Sequence, residues 1–278
     1  MTLPPSHPDT PAIVLEHVSF AFDDHVVLRD VSFSLPRGTM KILLGASGGG
    51  KSIILKLILG LLKPDGGKIF INGERIDTMP ENDLMRVRAD VGMLFQETAL
   101  FDSLTVAENV GYRLYEETDM PLDEARRRVE EVLGFVGLEE HIDKMPSALS
   151  GGQRRRVAIG RAMAARPNLL LFDDPTVGLD PITATSISDE IVKVRDLQQV
   201  SAIVVTHQIR DAHYVATHAA TRDEGRISIH AIPEHESARA SFIVLHEGRI
   251  YFEGSITELL HSDDEFLKTF LFMTLPPW

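Results

Sequence analysis

The chain has 278 residues, of which 44% are hydrophobic and 25% charged, a composition typical of folded globular proteins. Its 41 acidic and 28 basic side chains give a net charge of −13, which disfavours unassisted binding to nucleic acid or to an anionic lipid surface. The sequence contains no cysteine, which excludes disulfides and thiol chemistry. No apolar run approaches the roughly 20 residues that span a bilayer, and the first ten residues lack signal-peptide features, so we expect a cytoplasmic protein.

The first part of the chain predicts strands, a glycine-rich loop and a helix. Apolar segments at 12–15, 31–35 and 40–44 predict strands, because turn residues separate them. The apolar run 53–62 starts directly after the glycine-rich loop and predicts a helix that ends before Pro64.

Further along the chain, a mostly helical segment lies between two groups of strands. We expect it to occupy about 97–165 and to include an amphipathic helix over 122–136. The continuous apolar runs 168–172 and 202–205 are typical of parallel strands that are covered on both faces. Strands that alternate with helices on both sides of this segment indicate an α/β fold.

The segment GASGGGKS is a candidate phosphate-binding loop. It matches G-x-x-x-x-G-K-S, in which small residues let backbone N–H groups surround phosphates while a lysine supplies a cation and a serine hydroxyl a Mg²⁺ ligand. The predicted strand before it and helix after it give the context that such a loop requires. Its residues are Gly45, Ala46, Ser47, Gly48, Gly49, Gly50, Lys51 and Ser52.

A second candidate phosphate site is LSGGQ at 149–153. It precedes an apolar-periodic run and would place two glycines at the first turn of a helix, where free N–H groups and the helix dipole favour an anion. The chain therefore has two segments suited to phosphate.

Two aspartates follow the predicted strand 168–172. Asp173 and Asp174 stand at the strand's carboxyl end, where nucleotide hydrolases hold Mg²⁺, although two such acids alone could equally form a solvated turn. Asp180 and Pro181 are typical first residues of a helix, which we expect to reach about residue 196.

These motifs, in this order, resemble the ATP-binding subunits of ABC transporters over nearly the whole chain. The resemblance implies an α/β P-loop NTPase fold with a RecA-like core, an antiparallel β subdomain and a helical subdomain that carries the LSGGQ signature. It places the core and β subdomain at 1–96 and 166–260, the helical subdomain at 97–165 and a C-terminal tail at 261–278.

The resemblance also implies roles for individual residues. The residues expected to act in catalysis are Asp174, His207, Lys51 and Gln96. The expected Mg²⁺ ligands are Ser52, Gln96 and Asp173, the last through water. The expected ATP-binding residues are Phe22, which would stack on adenine, the loop from Gly45 to Ser52 with Ile53, and Ser150, Gly151, Gly152, Gln153 and Asp180. Because Phe20 alternates with Phe22, we expect one ring of this pair to pack in the core.

Two positions depart from the family pattern. Asp174 stands where the family usually has a glutamate that polarises the attacking water, and it is shorter by one methylene. Ile53 stands where a hydroxyl normally supports a phosphate. A displacement of about 1 Å can lower a rate about a hundredfold, so we expect slow hydrolysis unless the loop of Asp174 lies closer to the nucleotide.

The resemblance further implies partners. ATP and Mg²⁺ would be enclosed between two copies of the chain, and a membrane permease would dock beside Gln96 at the cytoplasmic face of the inner membrane. The run 93–114 and the segment GLDPITA resemble Mla/Mce lipid-trafficking ATPases, which implies an MCE lipid-binding protein in the periplasm. Small-molecule importers share parts of this run, and a slow ATP-dependent clamp or regulatory protein is the other alternative. No nucleic-acid partner is expected.

One segment is longer than the family pattern predicts. The atypical insertion at about 217–240 includes 221–232, which predicts a hairpin with its turn at Glu224 and Gly225. Its histidines lack the close spacing of metal ligands, so a surface elaboration is favoured over a metal site. They are His218, His230 and His235.

The C-terminal tail from Asp263 to Trp278 has an apolar face and ends in Trp278. It could clasp the second subunit or pack within its own chain, and the sequence does not separate these alternatives. Its members are Phe266, Leu267, Phe270 and Leu271.

Overall fold

A computed structural model of the protein describes residues 10–233 and 240–274. The strands within these ranges are β1 (Ile13–Phe22), β2 (His25–Leu35), β3 (Met40–Gly45), β4 (Gly66–Ile71), β5 (Glu74–Arg75), β6 (Val91–Leu94), β7 (Leu169–Asp173), β8 (Ser201–Val205), β9 (His218–Asp223), β10 (Arg226–Ala231), β11 (Ala240–His246) and β12 (Arg249–Gly254). The helices are α1 (Lys51–Ile58), α2 (Glu81–Arg88), α3 (Val106–Glu116), α4 (Leu122–Phe135), α5 (Gly151–Ala164), α6 (Pro181–Gln198), α7 (Ile209–Thr217), α8 (Ile256–Leu260) and α9 (Glu265–Thr274). Among these helices, none combines the length and the apolar character needed to cross a bilayer.

The strands form one mixed sheet, one antiparallel sheet and a hairpin. The mixed sheet has the order β12-β11-β3-β8-β7-β6, and all its strands except the edge strand β12 run parallel. The antiparallel sheet has the order β2-β1-β4-β5. This architecture confirms the expected α/β fold with a parallel core sheet, a separate antiparallel sheet and a helical segment.

The parallel strands are buried on both faces, as their continuous apolar sequences predict. In β3, Ile42 and Leu44 face one core together with Phe172 of β7, while Leu43 faces the other core with Leu171. Alternate side chains of one strand therefore hold helices on one face and the antiparallel sheet with α1 and α2 on the other.

Helices α3, α4 and α5 occupy the segment 97–165. Helix α3 begins at a capping box in which Thr105 and Glu108 satisfy each other's backbone N–H groups. Helix α5 lies unusually close to β6, because a Cβ on Gly92 would stand only 2.2 Å from the carbonyl oxygen of Ala162. The domain boundaries stay predictions, since buried residues of these helices and of the parallel sheet share one core.

The prediction of a helix over 53–62 is wrong at both ends. Helix α1 starts at Lys51 and ends at Ile58. Gly60 then adopts a left-handed conformation with φ of 63°, and its missing Cβ makes room for Leu84, whose Cδ2 would lie 2.8 Å away. The apolar residues at 59–62 therefore lie in a turn.

The insertion forms a hairpin, which confirms that prediction. Strands β9 and β10 pair in antiparallel register around the turn at Glu224 and Gly225, although β9 already begins at His218. The buried Arg195 of α6 anchors the hairpin, because its guanidinium donates to the carbonyl oxygens of Val215 and His218 at 2.5 and 2.6 Å.

The tail packs within its own chain as far as the structure describes it. Leu267 and Leu271 of α9 are buried in the larger core, and the ring of Phe266 lies 4.6 Å from that of Tyr251. Intramolecular packing thus accounts for this apolar face. Trp278 and, in the insertion, His235 lie outside the described residues.

Candidate functional site

The glycine-rich loop joins the carboxyl end of β3 to the amino end of α1. Gly48 and Gly50 have φ of 78° and 88°, a left-handed conformation that side chains disfavour. A Cβ on Gly50 would also lie 2.7 Å from Cδ2 of Leu28. The loop is thus built for glycine, and its exposed part from Ala46 to Gly48 lies beside the free N–H groups of the first turn of α1.

Lys51 lies inside this loop with its ammonium group largely buried. Its Nζ donates to the carbonyl oxygens of Gly45 and Ala46 at 2.9 and 2.8 Å. Burial lowers the pKa of Lys51, and the nearby carboxylates of Asp174 and Asp173 oppose that shift. A cation held in this way is poised to meet an anion in the loop.

Ser52 and Asp173, two of the three expected Mg²⁺ ligands, lie in contact with each other. The hydroxyl of Ser52 donates to Oδ1 of Asp173 at 2.8 Å across the carboxyl edge of the sheet. Burial raises the pKa of Asp173, and the negative charge of Asp174 adds to this, whereas the hydrogen bond from Ser52 lowers it. One hydroxyl and one buried carboxylate suit Mg²⁺, which keeps several waters and completes its shell with substrate phosphates.

Asp174 and His207 come together although they lie on different loops. Oδ1 of Asp174 is 2.9 Å from Nδ1 of His207 and also accepts the backbone N–H of His207 at 3.2 Å. Asp174 has a left-handed backbone conformation with φ of 43°. Its backbone N–H donates to the carbonyl oxygen of Val205, and this hydrogen bond helps to hold that conformation. The two residues form one unit, in which the carboxylate orients the imidazole.

The LSGGQ segment begins α5 as predicted. Ser150 caps the helix by accepting the N–H of Gln153, whose side chain accepts the N–H of Ser150 in return. Nε2 of Gln153 also contacts Nε2 of His141 at 2.9 Å, a contact that the sequence did not predict. The first turn of α5 is therefore stabilised by a complete capping box.

The other predicted site residues are Phe22, Asp180 and Gln96. Phe22 is 50% exposed, and Phe20 beneath it is 6% exposed, so one ring of the pair packs in the core as expected. Asp180 caps α6 by accepting the N–H groups of Ile182 and Thr183. Gln96 is exposed and forms no side-chain hydrogen bond within the described chain.

Ile53 is half-buried and packs against the core between the two sheets. Its apolar side chain therefore has a structural role.

Arg155 is a residue whose position the sequence did not reveal. Its buried guanidinium donates to the carbonyl oxygens of Phe95, Gln96 and Val177, the last at 3.2 Å. It thereby joins α5 to the segment of Gln96 and to the loop that follows Asp174. A triple arginine at 154–156 was the only signal, and it does not tell which member turns inward.

A glycine loop around a helix end, with a Ser–Asp pair at the carboxyl edge of a parallel sheet, defines a P-loop nucleotide hydrolase. The sequence matches the family described as ABC transporter over residues 28–177. The chain therefore belongs to the ABC transporter family, as one of its ATP-hydrolysing subunits.

Curated relatives with different transport functions are similarly close. The chain is 38% identical over 216 residues to the intermembrane phospholipid transport system ATP-binding protein MlaF of Escherichia coli, covering 78% of this chain and 80% of MlaF. It is also 38% identical over 200 residues to the methionine import ATP-binding protein MetN of Corynebacterium jeikeium, covering 72% of this chain. The match spans only 54% of that MetN.

Solved structures of ABC proteins share the fold. The dimeric post-hydrolysis state of the ATP-binding cassette MJ0796 bound to ADP and Pi has a TM-score of 0.72 at 28% identity, over 88% of this chain and 98% of that one. The structure of cbiO1 from Clostridium perfringens, part of an ABC transporter complex, has a TM-score of 0.76 at 25% identity over 95% of this chain and 96% of that one.

Proposed function

We propose that two copies of this chain enclose ATP and Mg²⁺ and that hydrolysis drives lipid transport through a membrane permease. The observation that carries the nucleotide part is the Ser52–Asp173 pair at 2.8 Å beside a loop built for phosphate. The capped helix end at Ser150 gives a second anion-binding end for the other copy's nucleotide.

Each site residue has a task in this proposal. The glycine loop binds phosphates through its N–H groups, and Lys51 offsets the charge on the transferred phosphoryl group. Ser52 and Gln96 would hold Mg²⁺ directly and Asp173 would hold it through water, and the ion would supply positive charge that offsets the phosphates. Asp174 orients the attacking water, with His207 held beside it.

Lipid is the proposed cargo because the likeness to MlaF covers most of both chains. A permease at the cytoplasmic face of the inner membrane would contact the exposed region around Gln96, and a periplasmic MCE protein would receive or deliver the lipid.

Two alternatives have support of their own. The carboxylate of Asp174 is already engaged by His207, and Ile53 offers no hydroxyl, which favours a clamp that hydrolyses ATP slowly. The equal identity to MetN supports the ATPase of a small-molecule importer.

ATP turnover of the purified protein, alone and with its candidate permease in lipid, tests the proposal. Permease-stimulated turnover that is lost in Lys51→Ala but kept in Lys63→Ala, an exposed lysine beyond α1, supports a transport motor. Dimerisation on ATP without turnover, followed by turnover in Asp174→Glu, supports the clamp. The lipid assignment is contradicted if methionine transport components stimulate ATP turnover and no lipid is transferred between vesicles.

A further inference from the structure

The side-chain amide of Gln153, the last residue of the LSGGQ segment, is held at both its oxygen and its nitrogen. Its Oε1 accepts the backbone N–H of Ser150 at 2.9 Å in the capping box of α5. Its Nε2 lies 2.9 Å from Nε2 of His141, the final residue of a short 3₁₀ turn at Glu139–His141. These two contacts together give the amide a single orientation.

The capping box also decides where the imidazole of His141 carries its hydrogen. An amide nitrogen only donates, so Nε2 of His141 must accept in this contact, and the neutral ring then has its hydrogen on Nδ1. If the amide were turned over, its NH₂ group would face the N–H of Ser150 and the capping bond would be lost. The Nδ1–H tautomer is therefore the one that fits both contacts of Gln153.

The backbone that carries His141 is fixed to another helix of the same segment. The carbonyl oxygen of Ile142 accepts the N–H of Ala107 at 2.9 Å, and that of Lys144 accepts the N–H of Val106 at 2.8 Å. Both N–H groups belong to the first turn of α3, where they have no partner within the helix. The imidazole thus extends from a backbone that α3 holds in place.

We propose that His141 is a positioning residue for Gln153. As the neutral Nδ1–H tautomer it accepts one N–H of the Gln153 amide and fixes that side chain for the nucleotide bound to the other copy. The amide has two N–H groups and this contact uses one, so the second can donate to a nucleotide oxygen. This inference rests on the proposed function, in which the LSGGQ segment meets that nucleotide.

Solution NMR of the nucleotide-free protein tests the contact itself. At mildly alkaline pH, where imidazoles are neutral, we expect the ring-nitrogen shifts of His141 to show hydrogen on Nδ1 and an acceptor at Nε2. The side-chain amide signals of Gln153 are identified by their loss in Gln153→Ala. We expect their hydrogen exchange to become about threefold to tenfold faster in His141→Ala, because one hydrogen bond is lost.

His261→Ala is the control for this measurement. His261 is an exposed histidine after α8, and its Nδ1 contacts the carbonyl oxygen of Thr257 at 2.9 Å. Its loss should leave the exchange of the Gln153 amide unchanged. Hydrogen on Nε2 of His141, or the same Gln153 exchange rate in His141→Ala as in the control, overturns the proposal. Neither readout depends on ATP, so both decide the contact even if the protein proves inactive and the proposed function fails.

Kinetics of matched variants test the positioning role. Oε1 of a glutamine can take the place of the histidine Nε2 as acceptor, whereas the shorter asparagine places its oxygen near Nδ1. We expect His141→Ala and His141→Asn to lower kcat/KM for ATP about threefold to tenfold, and His141→Gln and the control His261→Ala to stay within about twofold of the unaltered protein. If turnover is too slow to measure, the ATP concentration for half-maximal dimerisation replaces kcat/KM. Equal losses in the asparagine and glutamine variants, or a loss that follows the melting temperature alone, contradict the positioning role.

Discussion

Substituting Gly92 by alanine should push α5 away from the sheet. The new Cβ would stand 2.2 Å from the carbonyl oxygen of Ala162 and 2.5 Å from Cδ2 of Leu170. Ordinary carbon contacts lie at about 3.5–4.0 Å, so the helix backbone must retreat by roughly 1 Å. Overpacking of this kind costs about 1–3 kcal/mol.

The displacement should affect both stability and turnover. We expect the melting temperature of Gly92→Ala to fall by about 2–10 °C. We also expect ATP turnover to fall by up to about a hundredfold, because α5 carries Ser150 at its amino end and Arg155 in its second turn. Scanning calorimetry and a steady-state ATPase assay measure the two effects.

Gly66→Ala is the matched control for this experiment. Gly66 is also a strand glycine, but a Cβ there would have no atom within 4 Å. We expect the control to change the free energy of unfolding by less than about 0.5 kcal/mol. Equal stability and turnover in Gly92→Ala and Gly66→Ala would refute the argument that close approach of α5 sets the position of the signature segment.

Three further substitutions have defined outcomes. Burial raises the pKa of Asp173, so its carboxyl group binds a proton more tightly in the folded chain than in the unfolded chain. The buried charge therefore destabilises the fold at a pH above the folded pKa, and this cost is relieved as the pH falls through that pKa. Asp173→Asn should therefore raise the melting temperature of the nucleotide-free protein at neutral pH, with a gain that shrinks in melts at lower pH; a gain that grows would contradict this sign. Arg195→Leu should cost about 3–5 kcal/mol in urea unfolding, while Arg222→Leu on the exposed face of β9 should cost little; equal losses would show that Arg195 does not anchor the hairpin. Phe22→Ala should weaken ATP binding in calorimetry by about 1–3 kcal/mol without lowering the melting temperature, and unchanged affinity would remove Phe22 from the adenine site.

The features that could be predicted from the sequence are those that depend on short stretches of chain. The phosphate loop is one, because a strand, its glycines and the helix beginning at Lys51 are consecutive in the sequence. The hairpin turn at Glu224 and Gly225 is another, since left-handed residues at a two-residue turn match the twist of paired strands.

The features that could not be predicted depend on distant segments. Asp174 and His207 meet only because β7 and β8 pair with Asp173 beside Val205, a register that the sequence does not specify. The sequence does not predict the end of α1, because apolar residues continue to position 62 and the turn at Gly60 depends on close tertiary contact with Leu84.

The two ends of the hairpin β9–β10 lie next to each other. The backbone N–H of Ile232 donates to the carbonyl oxygen of Thr217 at 2.8 Å, so the two ends of the segment stand side by side. A segment with adjoining ends can be gained, lost or lengthened in evolution at little cost in chain entropy, because closing a longer loop costs little more than closing a short one. For the same reason, the exposed turn at Glu224 is a suitable place to insert a peptide tag. Because the chain has no cysteine, Glu224→Cys would also create its sole thiol, to which a distance probe can be attached.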